Sequence, residues 1–215
     1  MTYRAQDFVD NLKDHILARL EGQARTGEGE DRHFTQAERD RLIICRNRMY
    51  KHKVMRVNYT TYDCRRDQDS LNPRTHADVM VLPHDQDPNE PRDTDDFQDY
   101  WYARVLGIFH VLVQRVSEGG ETTEPQRVDF LWVRWFGKDG QWRSGWKARR
   151  LPRVGFFEHD DPEAFGFLDP DEVIRGVHLI PAFAEGKTDE LLPGQSIARR
   201  ACEDDEDWRY FYVNM

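Results

Sequence analysis

Four runs rich in β-branched and aromatic residues crowd the part of this chain that follows His76. They read HADVMVLPH from His76, YWYARVLGIFHVLV from Tyr100, VDFLWVRWFGK from Val128 and VIRGVHLIPAF from Val173, and clusters of Pro, Asp and Gly separate them. Val, Ile, Phe, Tyr and Trp fit a pleated, half-buried surface, and turn residues between such runs predict successive strands. The fold class expected is therefore mainly β, an α+β chain with helices confined to its N-terminal end, its strands forming one small antiparallel barrel or strongly bent sheet. In the second run Trp101, Val105 and Phe109 are assigned to one face and Tyr102, Leu106 and Ile108 to the other. Both faces are apolar, which marks a central strand covered on two sides. The polar stretch RVSEGGETTEPQR joins it to the third run as a hairpin loop. Val105, Ile108, Val133 and Trp135 are predicted to be buried.

The N-terminal end reads differently. Phe8, Leu12, Ile16 and Leu20 recur every four residues, one apolar stripe on a helix from about Asp7 to Leu20. Gly22, Gly27 and Gly29 break it, and Thr35 followed by Glu38 is a capping box that opens a second helix, expected to run to about Asn47. Residues 52–63 read as extended, with Val54, Arg56 and Asn58 alternating against Met55, Val57 and Tyr59, and RRDQDSLNPRT reads as a turn-rich connection. Residues 1–50 are thus a helical extension and 51–215 a β domain.

With 215 residues the chain can bury a core without staples. Its apolar runs all fall short of the roughly 20 residues a membrane span needs, and its opening lacks the apolar stretch of a signal peptide. Cys45, Cys64 and Cys202 are odd in number and widely spaced, as expected of reduced thiols inside a cell.

The net charge of −9 conceals a patterned distribution. From Arg39 to Arg66 nine Lys or Arg residues face only Asp40 and Asp63, and RSGWKARRLPR from Arg143 to Arg153 carries five positive charges and no carboxylate. Acidic runs at 85–99, 158–172 and 203–207 oppose them. Overall acidity disfavours indiscriminate nucleic-acid binding, and the ordinary expectation is that acidic loops and basic segments pair in solvent.

The succession HADVMVLPHD, acidic insert, YWYARVLGIF, VDFLWVRWFGK and DPDEVIRGVHLIP resembles the bromo-adjacent homology (BAH) domain. Trp101, Ala103, Arg104, Val105 and Ile108 match its second strand and Val133, Arg134, Trp135 and Phe136 its third, over residues 75–181. Gly137 and Lys138 stand where that family usually has Arg-Pro. The resemblance implies a bent β-barrel that binds protein or peptide in chromatin, a histone tail among the candidates, in the nucleus. RVNYTTYDCRRDQDSLNPRTHADVMVL, GWKARRLPRVGF, FGFLDPDEVIRGVHLIPAF and DEDWRYFYVNM are similar to a region of uncharacterised, transposon-associated proteins of fungi, of the Plavaka type. Its members continue past the equivalent of Met215, which implies a fragment or degraded copy with a truncated C-terminal strand.

Candidate functional residues fall into three sets. Tyr100, Tyr102 and Trp132 beside Asp99 would cage a methylated ammonium by cation–π attraction, although large rings in strands usually fill cores. Arg143, Lys147, Arg149, Arg150 and Arg153 would hold phosphates while Trp142 or Trp146 stacks a base, the signature of a transposase accessory that binds nucleic acid. Their ordinary alternative is pairing with Asp160, Asp161 and neighbouring carboxylates. His76 and Asp78 form an HxD at a strand start that, with His110, His159 or His178, would make the triad of a non-haem iron oxygenase. A zinc set of Cys45, Cys64, His52 and His76 lacks paired-ligand rhythm. No phosphate loop or nucleophile elbow is present. The leading expectation is a non-enzymatic binding module without cofactor or resident metal.

Overall fold

The computed structural model describes residues 5–22, 34–61, 63–82, 100–145, 147–199 and 203–214. Helix α1 spans Ala5–Leu20 and α2 Gln36–Asp40; the strands are β1 Leu42–His52, β2 Met55–Thr60, β3 Arg66–Leu71, β4 Asp78–Val81, β5 Trp101–Arg115, β6 Gln126–Lys138, β7 Arg153–Phe156, β8 Phe165–Leu168, β9 Val173–Gly176, β10 His178–Pro181, β11 Lys187–Thr188, β12 Asp207–Trp208 and β13 Phe211–Asn214. A nine-stranded antiparallel sheet follows the order β10-β13-β7-β6-β5-β4-β9, with β1 added to β5 and β8 to β6; β2 pairs with β3 and β11 with β12 in two small ribbons.

The ends of that seven-strand path, β9 and β10, are consecutive in the chain with only Val177 between them. Val177 therefore brings one end of each edge strand together, by covalent continuity rather than by a ladder. Val177 secures the corner: its N–H donates to the Asp78 carbonyl at 2.9 Å and its side chain is buried. The fourth apolar run is accordingly one strand that changes partners midway. A large antiparallel sheet in a mainly β chain with N-terminal helices is the expected class.

Three apolar clusters fill the two faces. One sets Leu12, Ile16 and Leu17 of α1 against Phe109, Val111 and Val113 of β5, Val128 and Phe130 of β6, and Phe167 of β8. A second lies around Val79, Val81, Ala103, Val105, Ile108, Leu131 and Val133, and a third around Tyr102, Phe136, Val154, Phe156, Phe211 and Val213. The face assignment in β5 needs correction. The ladder slips between Val105 and Gly107, so Val105 and Ile108 share a cluster while Phe109 turns to α1. One extra residue in a strand inverts every face beyond it. Trp135 is half-buried, not a core ring, standing edge-on to Trp101.

Further differences lie nearer the N-terminus. The capping box is present, Thr35 accepting from the Glu38 N–H and Glu38 from the Thr35 N–H, yet α2 ends at Asp40. From Leu42 onward the chain pairs with β5, Leu42 opposite Arg115 and His52 opposite Ile108, so residues 42–50 belong to the sheet and not to a helical extension. Leu-Ile-Ile suits either state locally, and the ladder with β5 decides it. β2 keeps its predicted alternation, but Arg66–Leu71 is its hairpin partner rather than a loop, a strand of exposed polar residues in which only Leu71 is buried. The acidic run 158–172 contains β8, whose Phe167 and Leu168 are core.

Candidate binding cleft

A line of charge crosses the sheet under β4, β5 and β6. Asp78 lies opposite Arg104, and Arg104 opposite Arg134. Two arginines side by side repel each other, and each is neutralised from a different direction. Arg104 donates from Nε and Nη2 to the two Asp78 oxygens at 2.7 and 3.1 Å, with Glu203 3.3 Å from Nη1. Arg134, 1% exposed, donates to Asp207 at 3.0 Å, and Asp207 also receives Nε and Nη2 of Arg199. Arg199 is held in turn by the carbonyls of Leu192 and Gly194. Burial, with the neighbouring Arg199 and Arg104, lowers the Arg134 pKa against the pull of Asp207, whereas at Arg104 burial is outweighed by Asp78 together with Glu203 and Asp207. Aromatic faces supply the remaining charge solvation: the Arg134 guanidinium lies 3.8 Å from the Phe156 centroid, and Arg104 lies 5.1 to 5.7 Å from those of Phe156, Phe211 and Phe136.

Above this ladder opens a cleft of about 310 Å³ lined by Asp78, Arg104, Phe156, Phe211 and Trp208, with Glu203, Asp204, Glu206 and Lys187 at its rim and His76 and His178 on its wall. The short β11–β12 ribbon builds the rim, setting Lys187 opposite Trp208. The Lys187 ammonium is 2.9 Å from an Asp204 oxygen and 5.4 Å from the Trp208 ring. The Asp204 hydrogen bond raises the Lys187 pKa and lowers that of Asp204. The rim thus presents carboxylates beside an indole face, the surroundings a cation prefers.

The aromatic cage proposed from the sequence is not assembled. Tyr102 is buried among Phe136 and Phe156, and burial pushes its hydroxyl up to about 12. Trp132 belongs to the other face, edge-on to Phe8, with an indole N–H that has no acceptor among the described residues. Tyr100 packs beside the Tyr102 cluster, and Asp99 lies outside the described residues.

The basic run is also largely engaged. Arg153 pairs with Asp139 and Glu185, not with Asp160 or Asp161; burial lowers its pKa and the Asp139 hydrogen bond raises it, for a net increase. Arg150 and Arg153 lie 4.7 and 4.2 Å from the Trp142 ring, which covers the face a base would stack on. Arg143, Lys147 and Arg149 remain exposed, and Trp146 lies outside the described residues.

The HxD does not form an iron triad. His76, Asp78 and His178 share the cleft, but Arg104 occupies both Asp78 oxygens and the three do not converge as ligands. Neither do Cys45, Cys64, His52 and His76. What the structure does gather is His52, His110 and Asp129, drawn from three strands.

Comparison with protein-family models, curated proteins and solved structures returned no match. The residues that line the cleft were visible in the sequence as the acidic run 203–207 and the aromatic segment after it. Nothing local tied them to Asp78, which lies more than 120 positions away.

Proposed function

We propose that this chain is a non-enzymatic, BAH-like protein-binding module whose cleft receives a basic side chain of a partner peptide. One observation carries the reading: the chain already places its own ammonium, Lys187, between Asp204 and the Trp208 face at the rim of that cleft. An incoming lysine or methylated lysine would use the same carboxylate and indole, drawn by Coulomb attraction and by the ring quadrupole. Exposed Glu203, Asp204 and Glu206 bias the opening toward cations, and Phe156 and Phe211 give the aliphatic stem an apolar floor. The likeness to BAH domains and to transposon-associated proteins makes a histone tail, met in the nucleus, the first ligand class to try.

Calorimetric titration with a lysine-rich tail peptide, its trimethyllysine form and a Lys→Gln form tests this. The expected result is binding of the first two, lost in the third, and weakened at least about tenfold by Trp208→Ala. Equal affinity for the Gln form, or binding indifferent to Trp208→Ala, overturns the proposal. Nucleic acid is the rival class, resting on exposed Arg143, Lys147 and Arg149. Tight DNA binding at physiological salt by a chain that ignores every basic peptide would establish it instead.

A further inference from the structure

The long β5–β6 hairpin has one face packed on α1 and another turned away from it. Phe109, Val111, Val128 and Phe130 point to the helix, so their neighbours His110 and Asp129 point away. His110 is directly opposite Tyr50 of β1 on one side and Asp129 of β6 on the other, and His52 follows Tyr50 by two positions on the same face. Register alone thus brings two imidazoles and a carboxylate together. His52 Nε2 and His110 Nδ1 are 2.6 Å apart, and one ligand atom from each of the three residues lies within 4.8 Å of the others. Among the described residues no other trio of His, Cys, Asp and Glu converges in this way.

We propose that His52, His110 and Asp129 form a site for a divalent transition metal, with Zn²⁺ its first candidate, held by one nitrogen of each imidazole and one carboxylate oxygen. This departs from the expectation of no resident metal. Two nitrogens facing each other at 2.6 Å can hold only one proton between them; a metal cation would take that proton's place. Zn–N and Zn–O bonds of about 2.0 to 2.2 Å at tetrahedral angles set ligand atoms roughly 3.4 Å apart. That value falls between the shortest separation and the upper bound seen here, so side-chain rotations of about an ångström suffice.

One ligand ring and one ligand backbone are already held in place. Tyr50 stacks on His110 with centroids 4.7 Å apart and planes 9° from parallel. Asp129 is anchored through its backbone, whose carbonyl accepts from Arg19 of α1, itself paired with Asp169. Arg127 is the competitor. It donates to both Asp129 oxygens from Nε and Nη2, the shortest contact being 2.6 Å, and its half-exposed side chain must swing into solvent for the metal to enter. Three protein ligands leave the fourth position to water, as in open rather than purely structural zinc sites.

The test is calorimetric titration of the full chain with Zn²⁺ near neutral pH, with Co²⁺ as a spectroscopic probe. About one metal per chain is expected, weakened at least about tenfold by His52→Ala, His110→Ala or Asp129→Asn. Arg127→Gln should strengthen binding by removing the competing cation. Bound Co²⁺ should show d–d bands without a thiolate charge-transfer band, since no cysteine takes part. Metal-free melting of each variant separates misfolding from ligand loss. Affinity that survives His52→Ala in a variant that melts like the native chain overturns the site. So does a thiolate band, or an Arg127→Gln variant that binds no more tightly.

Discussion

The guanidinium of Arg134 is clamped between the Phe156 ring, 3.8 Å from its centroid, and Asp207, 3.0 Å from its Nη2. A long cationic side chain in the middle of a sheet is tolerable only because one neighbour neutralises it and another replaces part of its hydration. Asp207 also pairs with Arg199, so two buried arginines share a single carboxylate. The floor of the cleft depends on that arrangement.

Removing the carboxylate should therefore cost more than removing either cation. Asp207→Ala strands two buried guanidinium groups and should lower stability by about 3–5 kcal/mol. Arg134→Met leaves Asp207 still paired to Arg199 and fills similar volume, so it should cost under about 2 kcal/mol. Urea midpoints of the two variants give the comparison, and the reverse order contradicts the assignment.

Tyr102 should make the fold sensitive to alkali. Burial holds the hydroxyl protonated in the native state up to about 12, against an ordinary value near 10 once unfolded. Between these values the native state binds the proton and the unfolded chain does not, so stability falls as pH rises. The contribution is fully present below about pH 10 and is lost by about pH 12, a change of roughly 2–3 kcal/mol. Stability measured across this window should fall more steeply for the native chain than for Tyr102→Phe. Parallel curves would count against the buried hydroxyl.

Core rings should rank by burial and not by size. Phe130, wholly buried on the hairpin face that packs against α1, should cost about 3–5 kcal/mol when cut to Ala. Trp135 is larger but half-buried against Trp101, so Trp135→Ala should cost less, about 1–3 kcal/mol. Chemical denaturation resolves the two.

Gly155 sits where a side chain has no room. A Cβ there would lie 2.7 Å from the Arg209 carbonyl oxygen, a backbone atom that cannot turn aside, so Gly155→Ala should pry β7 from β13. A loss of about 1–3 kcal/mol is expected by analogy with other overpacked sites. Unchanged thermal melting would show that the two strands separate freely.

Salt dependence separates the two binding classes. Phosphate contacts through Arg143, Lys147 and Arg149 would give a log–log slope of about −0.9 per contact, near −3 for all three. The cleft proposed here should give a shallow slope and be indifferent to Arg149→Ala and Arg150→Ala, because both lie outside it. A steep slope that falls by about one with each of Arg143→Ala, Lys147→Ala and Arg149→Ala would favour nucleic acid.

Local pattern determined the elements whose cause is local. The four-residue stripe of α1, the Thr35–Glu38 cap, the alternation of β2 and the apolar runs of β5 and β6 were legible because helix and strand periods and capping bonds act within a few residues. Tertiary pairing decided where that evidence was ambiguous. It turned Leu42–His52 into a strand, slipped β5 at Leu106 and split the run after Val173 between the two end strands of the sheet. Both candidate sites belong to this second kind. Asp78 meets Arg104 across 26 positions, Arg134 meets Asp207 across 73, and His52 meets His110 across 58. His52, His76, Asp78 and His110 each stood out as a residue able to do chemistry, but in the sequence they were grouped with the wrong partners. Strand order and register choose the partners, and both follow from how the whole chain buries its apolar faces, a global free-energy balance that no short window of residues contains.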